Sequence, residues 1–295
     1  MNRGAQQRTL HRYAIVTAGA TWLLLIAGSL VTSTDSGLAV PDWPLSYGTL
    51  FPPMVGGILY EHGHRIIAGI VGLMILALAA WLWRVEPRRW VRWLGGAAAT
   101  AVLLQAVLGG LTVLLLLPPA VSIAHAMLGQ TVFCLTVCLA IATSAQQKEP
   151  IVPLTIRGGA SLRRGGLILA LLVAAQVWLG AVIRHTGFAV GWHLSHAILL
   201  VWLSGWLMRR MKPLRDQAPL LWSHVHRLTM LLGAQVLLGV FVWTHRAMLW
   251  LRTAHVAVGA LVMAQAVVLA WQLVRSVAPM TSVQTSVLPK TEPVA

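Results

Sequence analysis

The chain has 295 residues, of which 58% are hydrophobic and 10% charged. A soluble domain carries about 25% charged residues, so an ordinary soluble globular protein is excluded. Disorder, which needs low hydrophobicity, is excluded with it. The net charge of +15 invites a nucleic-acid reading, but the basic residues lie between long apolar runs, which is a membrane pattern.

Eight runs reach the length of about 17–25 apolar residues that a membrane-crossing helix needs. They are 13–32, 62–83, 93–117, 120–143, 165–183, 193–209, 227–244 and 251–274. The first exceeds the ~7–15 apolar residues of a secretory signal, and no small-residue cleavage site follows it. With the N-terminus inside, only Arg65, Arg184, Arg246 and Arg252 of the 22 Lys and Arg residues fall on the outer side. The positive-inside rule then puts both termini in the cytoplasm. Topology is a sufficient explanation of the high pI. The histidines run the other way: only His11, His224 and His226 of the eleven fall on the inner side.

The chain repeats itself. LLQAVLGGLTVL in the third span resembles GAQVLLGVFVW in the seventh, and SIAHAMLG in the fourth resembles RTAHVAVG in the eighth. The end of the first span, IAGSLVTSTDSG, pairs with WLGAVIRHTGFA in the fifth. EHGHRIIAG pairs with HLSHAILLV at the heads of the second and sixth. An even number of spans per unit makes this a parallel repeat about an axis along the membrane normal. The expected fold is an all-α integral membrane protein of two pseudo-symmetric four-helix bundles. Residues 1–145 form the first, with a long outer loop over 32–60. Residues 146–164 are a cytoplasmic linker, 165–275 the second bundle, and 276–295 a disordered tail.

Polar groups within a membrane are costly and point to function. His64, His125, His196 and His255 recur at equivalent places, each about one turn inside the outer end of its span. Two imidazoles from facing helices of one bundle suit the axial positions of a heme iron. Zinc prefers three or four ligands at one site, and two histidines in each of two bundles do not offer that. Gly69, Gly72, Gly109 and Gly110 suit either the approach of a flat macrocycle or plain helix packing. Glu61 lies three residues before His64 on the same helix face. It reads equally as a general acid or base and as an anion favoured by a helix N-terminus. Asp35, Asp42, Trp43 and Tyr47 in the long outer loop fit either a lid or an interfacial cap. Cys134 and Cys138, one turn apart on one helix, do not suit a disulfide.

These residues carry a resemblance. SLVTSTDSGLAVPDWPLSYG, EHGHR, the two Ala-His pairs and GAVIRHTG together resemble the heme A synthase family over roughly residues 12–272. The resemblance implies an enzyme of the inner (plasma) membrane that oxidises the C8 methyl of heme O to the formyl group of heme A, for cytochrome oxidase. Two hydroxylations give a geminal diol, which loses water. His64 and His125 would flank the substrate heme, with Glu61 catalytic and Arg65 on a heme propionate. His196 and His255 would ligate a heme b that passes electrons. Partners implied are the heme O synthase, oxidase assembly factors and an electron acceptor or donor of unstated nature. The chain departs from the family in two places. Its first outer loop lacks the cysteine pair of many bacterial members, and after a shortened second outer loop Ala197 stands where an arginine follows the third histidine. The second departure leaves His193 as a competitor to His196. Two alternatives stay open: a diheme b-type electron carrier and a non-catalytic heme chaperone. A secondary transporter fits least, because no Gly/Pro-broken midplane helix is evident.

Overall fold

The computed structural model describes residues 3–147, 153–156 and 158–279. Among them are eight helices long and apolar enough to cross a membrane. They are α1 (Arg3–Ser33), α2 (Gly56–Val85), α3 (Arg89–Leu114), α4 (Pro119–Ala142), α5 (Gly159–Thr186), α6 (Val190–Met211), α7 (Pro219–Thr244) and α8 (Leu249–Ser276). The chain is an all-α integral membrane protein. Its helices extend past the apolar runs that signal them. α1 begins about ten residues before its run and α7 eight before, because amphiphilic Arg and Trp stems prolong a helix into the interface.

The helix boundaries have local causes. Pro119 and Pro219 open α4 and α7 at first-turn positions, where a missing N–H costs nothing. Gly187 closes α5 with φ 76°, the left-handed geometry that glycine adopts without a Cβ clash. The α2–α3, α3–α4, α5–α6 and α7–α8 connections are only three or four residues long, so these neighbours run antiparallel. The α1–α2 connection, residues 34–55, is the long one.

Contacts close two rings. α1 packs on α2, α2 on α3, α3 on α4 and α4 on α1; α5 to α8 repeat the pattern. Between the rings α1 meets α8, α4 meets α5, and α4 meets α8. Exchanging the two halves maps the first of these contacts onto the second and the third onto itself. α8 and α4 are accordingly the most enclosed helices. Each ring has its own apolar core: Ile75, Leu78, Leu82 and Leu139 in the first, Leu169, Leu200, Leu228 and Leu269 in the second.

Polar ties fasten both ends of the molecule, within the first ring and across the seam between the rings. At one end His11 Nδ1 meets Thr143 Oγ1 at 3.2 Å, and Arg88 forks onto Glu86 while donating to the Ala142 carbonyl. Arg275 there bonds Gln147 Oε1. At the other end Arg184 donates to Ser33 Oγ (2.6 Å) and to the Ser29 carbonyl (3.0 Å). Arg252 donates to the Ser33 carbonyl at 3.2 Å. Midway, Trp22 Nε1 of α1 donates to the Ala257 carbonyl of α8.

The expected linker is shorter than its 146–164 span, since α5 starts at Gly159. A two-stranded parallel pair, β1 (Leu154–Ile156) with β2 (Val277–Pro279), joins it to the end of α8. Residues 277–279 are therefore ordered in a strand. The expected tail beyond them lies outside the described residues, as do Lys148, Arg157 and Lys290.

Candidate functional site

At the end of the first ring away from His11, residues 34–55 fold back as a strap onto α2 and α3. Glu61 of α2, only 3% exposed, accepts from the Val40 backbone N–H through Oε2 at 2.8 Å. Its other oxygen pairs with Arg65 at 2.5 Å, one turn on. Arg65 in turn donates to the carbonyls of Asp42 and Leu45, both at 2.7 Å, and to that of Val40 at 3.3 Å. His62, also buried, bonds Ser46 Oγ at 2.7 Å through Nδ1. So the Glu61–Arg65 pair binds the strap, and the Arg65 guanidinium sits on strap carbonyls, where the resemblance implied a heme propionate. A carboxylate this deeply buried needs such partners, because an unpaired charge there would cost several kcal/mol.

Within the strap Asp42 caps a turn. Its carboxylate accepts from the N–H groups of Tyr47 (2.7 Å) and Gly48 (2.8 Å). The Gly48 N–H above all, then the Tyr47 N–H and the nearby Arg65 charge, hold the Asp42 carboxyl below its usual range, against some loss of hydration. A carboxyl shifted down lends its support at neutral pH and loses it as pH falls through the depressed value. Limited proteolysis of the strap should therefore accelerate on acidification. Asp42→Asn should show the loosened behaviour already at pH 7 and lose the pH dependence. The Trp43 indole covers Gly110 of α3: a Cβ there would lie 2.6 Å from Trp43 Cδ2. Gly110→Ala should displace the indole and destabilise the protein by about 1–3 kcal/mol, read as a lower Tm with faster strap cleavage.

Beneath the strap the histidines stand against glycines of the neighbouring helix. A Cβ on Gly28 (α1) would meet His64 Cε1 at 3.0 Å, and one on Gly109 (α3) would meet His125 Cε1 at 3.1 Å. Gln105 donates through Nε2 to the His125 carbonyl at 3.0 Å and lies 3.4 Å from its ring Nε2.

The second ring repeats the arrangement with one change from expectation. Gly239 (α7) backs His255 at 3.3 Å, and Gln235 Nε2 lies 3.1 Å from His255 Nε2. Gly180 (α5) backs His193, at 3.4 Å, and not His196. The rings of His193 and His255 face each other with centroids 6.5 Å apart. His196 instead bonds Gln176 Oε1 at 2.8 Å. The register explains the difference. His193 follows His64 by 129 residues, against 130 for His125 to His255, Gln105 to Gln235 and Gly109 to Gly239. In that register Val190 corresponds to Glu61 and Leu194 to Arg65, so the acid–arginine pair belongs to the first ring alone.

One observation unites the four. Nδ1 of His64, His125, His193 and His255 is in each case buried without a hydrogen-bond partner. Buried polar atoms are rarely left unpaired. The His193–His255 spacing also suits a shared iron. Two metal–nitrogen bonds of about 2.0–2.1 Å, plus roughly 1.1 Å from each nitrogen to its ring centre, give about 6.3 Å. A pair of imidazoles walled by glycines therefore fits bis-histidine heme ligation.

A family model described as a cytochrome oxidase assembly protein (COX15-CtaA) matches residues 56–193, from the start of α2 to His193. A heme A synthase of Bacillus licheniformis is 30% identical over 61% of this chain and 60% of its own length. That of Symbiobacterium thermophilum is 29% identical over 67% of each. That of Halalkalibacterium halodurans is 27% identical over 74% of this chain and 82% of its own. The chain is thus similar to heme A synthases over more than half of its length. The alignment spans about three fifths of the first of these relatives. Eight helices long and apolar enough to cross a bilayer make this a multi-pass membrane protein.

The strap contains no cysteine, and Cys134 and Cys138 of α4 are free thiols. Residues that sequence reasoning left without a role in the site are Gly28, Gly180, Gly239, Gln105, Gln176 and Gln235. Their signal was present for the two glutamines on α3 and α7 as part of the repeat. The glycines draw meaning only from the histidine that a neighbouring helix brings to them.

Proposed function

We propose that this chain is a heme A synthase, oxidising the C8 methyl of heme O to a formyl group. The observation that carries the reading is the paired set of glycine-backed histidines, each with one buried, unpartnered ring nitrogen. The relatives that bear the name heme A synthase support it. His64 and His125 hold the substrate heme; His193 and His255 hold a resident heme b. When bound, that heme supplies one-electron transfer.

The chain's own residues then have distinct tasks. Gly28 and Gly109 set how close each first-ring imidazole lies to the adjacent helix. Gln105 and Gln235 restrain the rings of His125 and His255 by the contact of their amide Nε2 with ring Nε2. Glu61, one turn before His64, takes up and returns protons at its carboxylate. It must release Val40 or Arg65 to do so. Arg65 is a positioning residue, holding Glu61 and the strap together, and the strap limits water entry.

The two rings are the substrate and electron-transfer halves, divided as the repeat suggests, with both termini in the cytoplasm. The heme sites then lie near the outer face of the inner (plasma) membrane. Heme O synthase and cytochrome oxidase assembly factors are the partners this reading implies. Cells that make heme O should accumulate heme A when the chain is expressed, and His64→Ala or His125→Ala should stop this. Persistence of unchanged heme O beside folded wild-type protein would overturn the reading.

A further inference from the structure

The strap's inner edge is fixed by polar bonds, but its tip presents apolar side chains outward. Phe51 is 87% exposed, Leu50 66% and Val55 63%, with Met54 beside them. Pro52, within the same run, is buried and turns its ring inward. No charged residue occurs from Trp43 to Tyr60. Such a patch, held rigid, calls for an apolar or interfacial occupant.

Position identifies it. The tip runs directly into α2, whose exposed stripe of Leu59, Ile66, Ile70 and Leu73 points away from the ring core of Val71, Ile75, Leu78 and Leu82. In an integral membrane protein that stripe is the lipid-facing side. α2 has 30 residues, about 45 Å at 1.5 Å per residue. Counted from Arg84 at its far end, this spans the full ~40–45 Å of a bilayer with its headgroups. Its first residue, Gly56, is then at headgroup level, and the tip immediately before it is at the same level.

We infer that the strap tip, Leu50 to Val55, is an interfacial anchor seated at the headgroup–acyl boundary of the leaflet on the strap's side. Apolar and aromatic side chains without charge favour that depth. The polar inner edge and the apolar tip thus tie the cover of the first site to the lipid surface as well as to α2. This inference rests on the chain's being a membrane protein and is independent of the proposed reaction.

The test is the depth of a spin label in heme-loaded, full-length protein reconstituted alone in lipid vesicles. Cys134→Ala and Cys138→Ala remove the native thiols, and the label is placed by Leu50→Cys, Phe51→Cys or Met54→Cys in turn. Three sites guard against one variant that fails to fold. Collisions with lipid-soluble oxygen should exceed those with an aqueous nickel chelate several-fold. The same label at Asp216→Cys, an exposed position near the opposite end, should give the reverse ratio. Labels at the tip that favour the nickel chelate would overturn the anchor. Protection that arises only on adding a second membrane protein would also overturn it, and would assign the patch to protein docking.

Discussion

His193→Ala is expected to empty the second heme site, and His196→Ala to leave it filled. His193 carries the features of the set: a glycine wall at Gly180, a buried unpartnered Nδ1 and a ring 6.5 Å from that of His255. His196 has none of these features: its Nδ1 is engaged by Gln176 Oε1 at 2.8 Å, and no glycine among the described residues backs it. Loss of one axial imidazole removes half of the protein's bonds to the iron. Purified His193→Ala should lose close to one heme per chain, with the low-spin spectrum of that heme. His255→Ala should match it. His196→Ala should keep the heme content of the wild type, with at most a small shift in spectrum through release of Gln176, whose Nε2 also bonds the His193 carbonyl. The opposite pattern would return the ligand role to His196.

The second large effect is on the reaction itself. Glu61→Gln keeps the size of the side chain and an oxygen for the Val40 N–H, but it removes the charge that pairs with Arg65. The Val40 N–H keeps an acceptor and Arg65 keeps its strap carbonyls, so the strap should stay attached, with protection lowered only by loss of the ion pair. If the carboxylate moves protons, conversion of heme O should fall by about 10²–10⁴-fold while both sites keep their hemes. An unchanged rate would make Glu61 a strap anchor only. That role is one its two oxygens already fill, on the Val40 N–H and on Arg65. Arg65→Met separates the two roles: it should speed proteolysis of the strap as well as slow the reaction.

Much of this arrangement is written in the order of residues. Apolar run length is enough to find all eight helices, because bilayer thickness sets a minimum that the chain must meet. His125 and His255 stand out because Ala-His followed by Gly recurs, and each histidine trails a glutamine, Gln105 or Gln235, by the same 20 positions. His64 stands out beside Glu61 and Arg65. His193 was harder to separate from His196. The two lie within one turn of the same helix, and alignment of EHGHR with HLSHA favours the second histidine of each string. The 129-residue offset from His64 favours His193, but only the approach of Gly180 from α5 distinguishes the faces. The binding of Glu61 by Val40 was not legible at all. It joins a residue in an irregular strap to one 21 positions later, and no periodic signal marks such a contact. The same is true of Arg184 and Arg252 converging on Ser33, which joins the halves across more than 150 residues.

The most direct test of the account is the number and kind of hemes in the purified wild-type chain from cells that make heme O. Extraction with chromatography and mass measurement reads both at once. The account predicts two hemes per chain: one heme b, and one heme O or an oxidised derivative of it. It predicts that His193→Ala removes the first and His64→Ala the second. A single heme b, or two hemes b that neither variant separates, would contradict the division of the rings into an electron-transfer site and a substrate site.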